Sequence, residues 1–170
     1  QGEIGSEAPD FFTWYEDWLD KKIRKIQKEQ QEKRERIVAY QKLIEQNNTH
    51  WEYYYQILEW ACPRSGVMET EFYLSAQEQK YRYQLLELTP SNIDCLASQL
   101  LYFQKNQDWV ALQKTIAQAE NFAKQSARLA LNISRAFVLL GEKEQALFWL
   151  VETEKLIFEN DKVQDGFPEI

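Results

Sequence analysis

The chain has 170 residues, enough for one compact domain with a sizeable core, and its five Gly and four Pro are too few for the turns of a β-rich fold. Aromatic residues reach 14%, which excludes a disordered chain and predicts large side chains packed between helices. The net charge of −7 argues against non-specific nucleic-acid binding, yet Asp20 to Arg36 holds eight Lys/Arg against four Asp/Glu, a local +4 that leaves −11 for the rest.

Residues 1–9 read as a flexible lead-in. Asp10 is placed to cap a helix that opens with Phe11-Phe12. Phe11, Phe12, Trp14, Tyr15, Trp18 and Leu19 are spaced by threes and fours, so they share a helix face. That face continues more weakly through Ile23, Ile26, Gln30, Lys33, Ile37, Tyr40 and Ile44, a heptad seam with a polar middle. The expectation over 10–48 is one long helix to about Gln46, broken or not at its middle, that acts as a coiled coil or a capping arm. Aromatics followed by Lys21, Lys22, Arg24 and Lys25 have the composition of a membrane interface, but Glu16, Asp17 and Asp20 interrupt it. Packing or coiled-coil pairing is therefore preferred there to contact with a membrane or nucleic acid.

Asn47-Asn48-Thr49 forms a turn with Thr49 as N-cap, and His50 to Ala61 a short aromatic helix. Tyr53, Tyr54, Tyr55 and Trp60 exceed one buried face, so at least one tyrosine is expected in an interface or in solvent. Pro63 and Gly66 stop this helix. The next runs from about Glu69 to Leu88 and ends at Thr89-Pro90-Ser91-Asn92. Four helices of similar length follow, at about 93–105, 108–122, 125–140 and 142–159, with tight turns at Asn106-Gln107 and Gly141. Residues 161–170 are a frayed tail.

A 34-residue period relates Ile93 to Ala127. Leu86-Glu87-Leu88-Thr89-Pro90-Ser91-Asn92 with Leu96, Phe103, Asp108-Trp109, Ile116 and Ala119 resembles the tetratricopeptide repeat. The pattern returns as Ile133-Ser134, Phe137, Leu140-Gly141-Glu142, Ala146 and Leu150. Gln99-Leu100, Leu112 and Ala130 depart from it, and an irregular helical bundle is the alternative. The resemblance implies an all-α fold: a short superhelix of antiparallel hairpins over 49–160, preceded by the long N-terminal helix. It also implies a protein-interaction module (adaptor, assembly factor or chaperone-like scaffold) that takes a partner peptide or helix on its concave face. The implied groove carries Asp94, Ala97, Ser98, Leu101 and Lys105, then Arg128, Leu131, Asn132, Arg135 and Leu139. Arg128, Asn132 and Arg135, at i, i+4 and i+7, would grip carboxylates of an acidic partner. Ala97 and Leu101 stand where chaperone-binding members hold polar clamp residues, which argues against capture of a chaperone tail.

The other reading is a structural subunit of a larger complex, associating through the N-terminal helix with itself or another chain, with a place beside a membrane left open. Catalysis is not expected: one histidine, His50, excludes a His–His metal site, and no Gly-rich phosphate loop or nucleophile motif occurs. No cofactor or metal is expected. Cys62 and Cys95 fit free thiols or one disulfide, so the compartment stays open, with a cytoplasm-facing one preferred. No apolar run approaches the ~20 residues that span a bilayer. The start at Gln1-Gly2 is what an excised piece with an anchor upstream would show.

Overall fold

The computed structural model describes residues 3–61 and 75–164, with side-chain surroundings over 10–61 and 77–160. The described residues form seven α-helices and one 3-10 turn, with no strand: α1 (Glu3–Gln46), α2 (Trp51–Ala61), α3 (Ser75–Leu88), α4 (Ile93–Lys105), α5 (Trp109–Ala119), the turn Ala123–Gln125, α6 (Ala127–Leu139) and α7 (Lys143–Gln164). The fold is all-α, as composition and periodicity predict. Each helix packs mainly on its neighbours in the chain. α1 lies on α2 and α2 on α3; α4 packs on α5 and α6; α6 packs on α5 and, most extensively, on α7.

Capping chemistry sets the bounds of the hairpin helices. Asn92 and Ser126 accept the backbone N–H of Cys95 and Leu129 on their side-chain oxygens, starting α4 and α6. Both helices then end in the same two-bond turn. Gln107 N–H donates to Gln104 and Asp108 N–H to Phe103, while Gly141 N–H donates to Val138 and Glu142 N–H to Phe137. The pivot residues, Gln107 (φ 55°) and Gly141 (φ 78°), are left-handed. Every one of these positions recurs after 34 residues, so the period is present in the backbone as well as in the sequence.

The hairpins differ at their crossing. In the first, Leu100 faces the position of Leu112; in the second, the corresponding residues are Ser134 and Ala146. The Ser134 hydroxyl donates to the Ala146 carbonyl at 2.7 Å, so α6 and α7 approach closely. One core runs through both hairpins, from Leu86 through Leu100, Phe103, Leu112 and Ile133 to Trp149. A second core joins α1, α2 and α3 through Ile37, Tyr54, Ile57, Leu58, Tyr81 and Leu85 and includes Cys95.

Several boundaries differ from expectation. Residues 3–9, read as a flexible lead-in, belong to α1, because extending an existing helix costs far less than nucleating one. α1 is continuous over 44 residues, about 66 Å at ~1.5 Å per residue, with no break. Thr49 hydrogen-bonds Asn47 Oδ1 through both its N–H and its hydroxyl, which holds the turn before α2. The helix expected to reach 122 stops at Ala119, and the 3-10 turn that follows buries Ala123 and brings Ser126 to its capping position. Residues 161–164 continue α7 rather than fraying, while 165–170 lie outside the described residues, as do the Cys62–Gly66 stop and the start of a helix at Glu69. None of the three adjacent tyrosines is exposed: Tyr53 stacks toward Tyr40 of α1 (5.3 Å), Tyr54 toward Tyr81 of α3 (5.4 Å), and Tyr55 toward Trp51 (6.3 Å).

The two turns carry opposite expectations. Gln107→Gly relieves a left-handed side-chain residue and raises stability by about 0.5–1 kcal/mol, whereas Gly141→Ala lowers it by about 1–2 kcal/mol. Urea denaturation of the two variants beside the wild type checks both signs.

Candidate functional site

The α4–α6 face is built by two helices of 13 residues each, laid side by side with a 34-residue offset. Arg128 and Asp94, 34 positions apart, form an ion pair at 3.7 Å across them, and Gln104 Nε2 donates to the Asn132 carbonyl at 3.4 Å. The side chains of the Arg128–Asp94 pair are more than half exposed, so it orients the residues more than it stabilises the fold. Leu101, Lys105 and Arg135 are also exposed on this face, and Leu131 is half-buried.

Three expected groove residues lie elsewhere: Ala97, fully buried in the hairpin core, Asn132 and Ser98. Asn132 is 4% exposed and Ser98 5% exposed. Each occupies the edge of its helix that a neighbouring helix covers: α4 approaches Asn132, and α3 approaches Ser98. The outer stripe of α6 is thus Arg128, Leu131 and Arg135, continued by exposed Val138 and Leu139. Arg128, Arg135 and Lys105 give it a positive edge, and Asp94 offsets part of it. An extended or helical segment with carboxylates and apolar side chains matches this chemistry.

Sequence reasoning missed the polar cluster behind this face. Arg82 of α3, 5% exposed, donates from Nη1 to Ser98 Oγ (2.9 Å) and Gln99 Oε1 (3.1 Å). Its Nη2 lies 3.7 Å from Glu78 Oε1, its guanidinium sits over the Tyr102 ring, and Gln99 Nε2 returns a bond to the Arg82 carbonyl at 2.9 Å. The signal for it was an arginine at i+4 from Glu78 on the same face as Leu85 and Leu86. Nearby, Tyr83 donates its hydroxyl to Asp108, the residue that caps α5 through Ala111 N–H. That bond to Asp108 raises the Tyr83 pKa, with desolvation adding to it.

Cys95 is buried at the junction of α2, α3 and α4. Burial pushes its thiol up to about 12, against a smaller lowering by Arg82. Among the described residues, no group of three His, Cys, Asp or Glu is placed to hold a metal ion, and no helix is long and apolar enough to cross a membrane. Compared with known proteins, the chain matches no family model, no curated protein and no solved structure.

Two measurements follow from this junction. Gln99→Leu removes both an acceptor and a donor from the buried Arg82 cluster and lowers unfolding free energy by about 1–3 kcal/mol. Because the folded Cys95 pKa lies above its usual 9.0, its contribution to stability is whole below pH 9 and is lost as pH rises toward 12. Denaturation at pH 8 and pH 10.5 should show a Cys95-dependent loss on the order of 2 kcal/mol, and a shallower slope in Cys95→Ala.

Proposed function

We propose that this chain is a protein-interaction module of the tetratricopeptide type, an adaptor or assembly scaffold that receives an acidic partner segment on the face of α4 and α6. The carrying observation is that the caps, the left-handed turns and the Asp94–Arg128 pair all follow one 34-residue step, which lays α4 and α6 side by side with their outer edges open. Helical hairpins stacked this way present the first helix of each pair as a continuous recognition surface. Arg135 and Lys105 supply charge, Leu101 and Leu131 apolar contact, and Arg128 can exchange Asp94 for a partner carboxylate. Stacked arrays generally need three or more repeats, and the α1–α3 unit, joined to the hairpins through Cys95 in the second core and through α3 on α5, supplies the further layer here.

The test is affinity capture with crosslinking, followed by titration of the captured segment. Arg128→Glu with Arg135→Glu should leave the helical circular-dichroism signal unchanged and weaken the partner at least about tenfold, the loss of one charge-assisted contact or more. An unchanged partner set and affinity would overturn the assignment of this face.

A further inference from the structure

Among the described residues, the part of α1 before Gln30 is open to solvent. Every described side chain from Asp10 to Glu29 is exposed, and Gln30 is the first that is half-buried. The face left open is apolar: Phe11 is 63% exposed, Leu19 39%, and Tyr15, Trp18, Ile23 and Ile26 fall between. At 100° per residue these positions lie on the same side of the helix as Ile37, Tyr40 and Ile44, which α2 covers further along. One apolar stripe is thus half satisfied within the chain and half presented to solvent.

The charges on this arm divide at its centre. From Asp10 to Asp20 there are four acidic residues, Asp10, Glu16, Asp17 and Asp20, and no Lys or Arg. From Lys21 to Lys28 there are five basic residues, Lys21, Lys22, Arg24, Lys25 and Lys28, and no Asp or Glu. Asp10, Asp17, Arg24 and Lys28 stand on the side away from the stripe, and Asp17 pairs with Lys21 along the helix at 3.1 Å, so the complement lies in the net charge of the two segments: turned end for end, −4 meets +5.

We infer that two copies of the chain pair through these arms as an antiparallel helical dimer with its two-fold axis near Asp20. In that arrangement the acidic, aromatic segment of each arm lies along the basic segment of the other. The overlap runs from residue 10 to residue 30 and stops where the body of the partner copy begins to cover its own helix. A parallel pair in register would set four negative charges against four and five positive against five. A membrane surface rich in anionic lipid would attract the basic segment but repel the aromatic end, whose Asp and Glu flank the rings that would have to insert. The eight large apolar side chains between Phe11 and Ile26, at 39–63% exposure, include five aromatics, each with roughly half of the ~150–250 Å2 of a fully buried ring left to bury. Paired, two such stripes reach the lower part of the ~1,200–2,000 Å2 buried in stable interfaces. A two-fold pairing also closes on itself, so it makes dimers and not fibres.

The dimer sets the two α4–α6 faces at opposite ends of a shared helical rod, which would make the module bivalent. The inference does not require the proposed groove: substitutions at Arg128 and Arg135 should leave the dimer intact, and arm substitutions should leave the affinity of a single groove intact.

Light scattering on the whole chain at tens of micromolar should give a dimer. Glu in place of Lys21, Lys22, Arg24, Lys25 and Lys28 should yield a monomer, as should Lys in place of Asp10, Glu16, Asp17 and Asp20. An equimolar mixture of these two variants should restore a dimer of mixed composition. A spin label on Asp10→Cys, in a Cys62→Ser background, then reads the direction. Twenty residues at ~1.5 Å each predict about 30 Å between the labels of an antiparallel pair, against about 10 Å for a parallel one. A monomeric wild type overturns the proposal, whether or not the arm then binds vesicles of phosphatidylserine. So does a label distance near 10 Å, and so does a charge-reversed arm that still dimerises with itself.

Discussion

The buried guanidinium of Arg82 joins two hydrophobic cores that would otherwise meet only along their edges. Tyr81 and Leu85, on one side of α3, belong to the core shared with α1 and α2; Leu86, on the other, belongs to the core of the hairpins. Arg82 lies between them and ties α3 to α4 through Ser98 and Gln99. A buried charge is costly unless geometry and hydrogen bonding compensate it, so this cluster tolerates one relative placement of α3 and α4 and penalises the rest. Apolar packing alone would permit helices to slide; the directional bonds to Arg82 give the α3–α4 junction a register.

The α4–α7 half follows from that register. The same capping and turn geometry is used twice, 34 residues apart, but the crossings are filled differently. Leucines fill the first, and a serine and an alanine fill the second, with the serine hydroxyl satisfied by a backbone carbonyl of the facing helix. Small residues draw α6 and α7 together, while the larger first crossing takes up volume beside the α3 junction. The aromatic side chains of α2 act as spacers on the other flank: Tyr53 and Trp60 meet Tyr40 of α1, Tyr54 meets Tyr81 of α3, and Tyr55 meets Trp51 within α2. This is how an irregular N-terminal unit closes one end of a regular pair of hairpins.

At the opposite extreme of the chain α1 leaves the body. Its buried stripe ends at Ile37, Gln30 is the last half-buried side chain toward the N-terminus, and every described side chain from Glu29 back to Asp10 is exposed. A helix this long holds its exposed half in a defined direction, because the docked turns fix its axis. The proposed groove and the proposed dimer surface therefore occupy separate parts of the molecule, one on the body and one on the arm, and a substitution in either is read without disturbing the other.

The local features were legible in the amino-acid order because their causes are local. The break before α4 needs only a proline that cannot continue the ladder, Pro90, and the Gly141 turn needs only a residue that accepts positive φ. The 34-residue step, the helix count beyond Thr89 and the all-α class followed from such signals. Which edge of each helix meets a neighbour is a property of the assembled chain. Ser98 and Asn132 carry polar side chains at groove spacing and are nevertheless buried, because α3 and α4 close over them. Arg82 reads as an ordinary surface arginine until α3 is placed on α4, and whether the aromatic arm caps the body or stands clear of it is decided only when α1 is placed. Sequence determined which helices form and where they turn, since those energies act within a few residues. Only the tertiary structure decided which faces are covered, since burial depends on contacts between residues far apart in the chain.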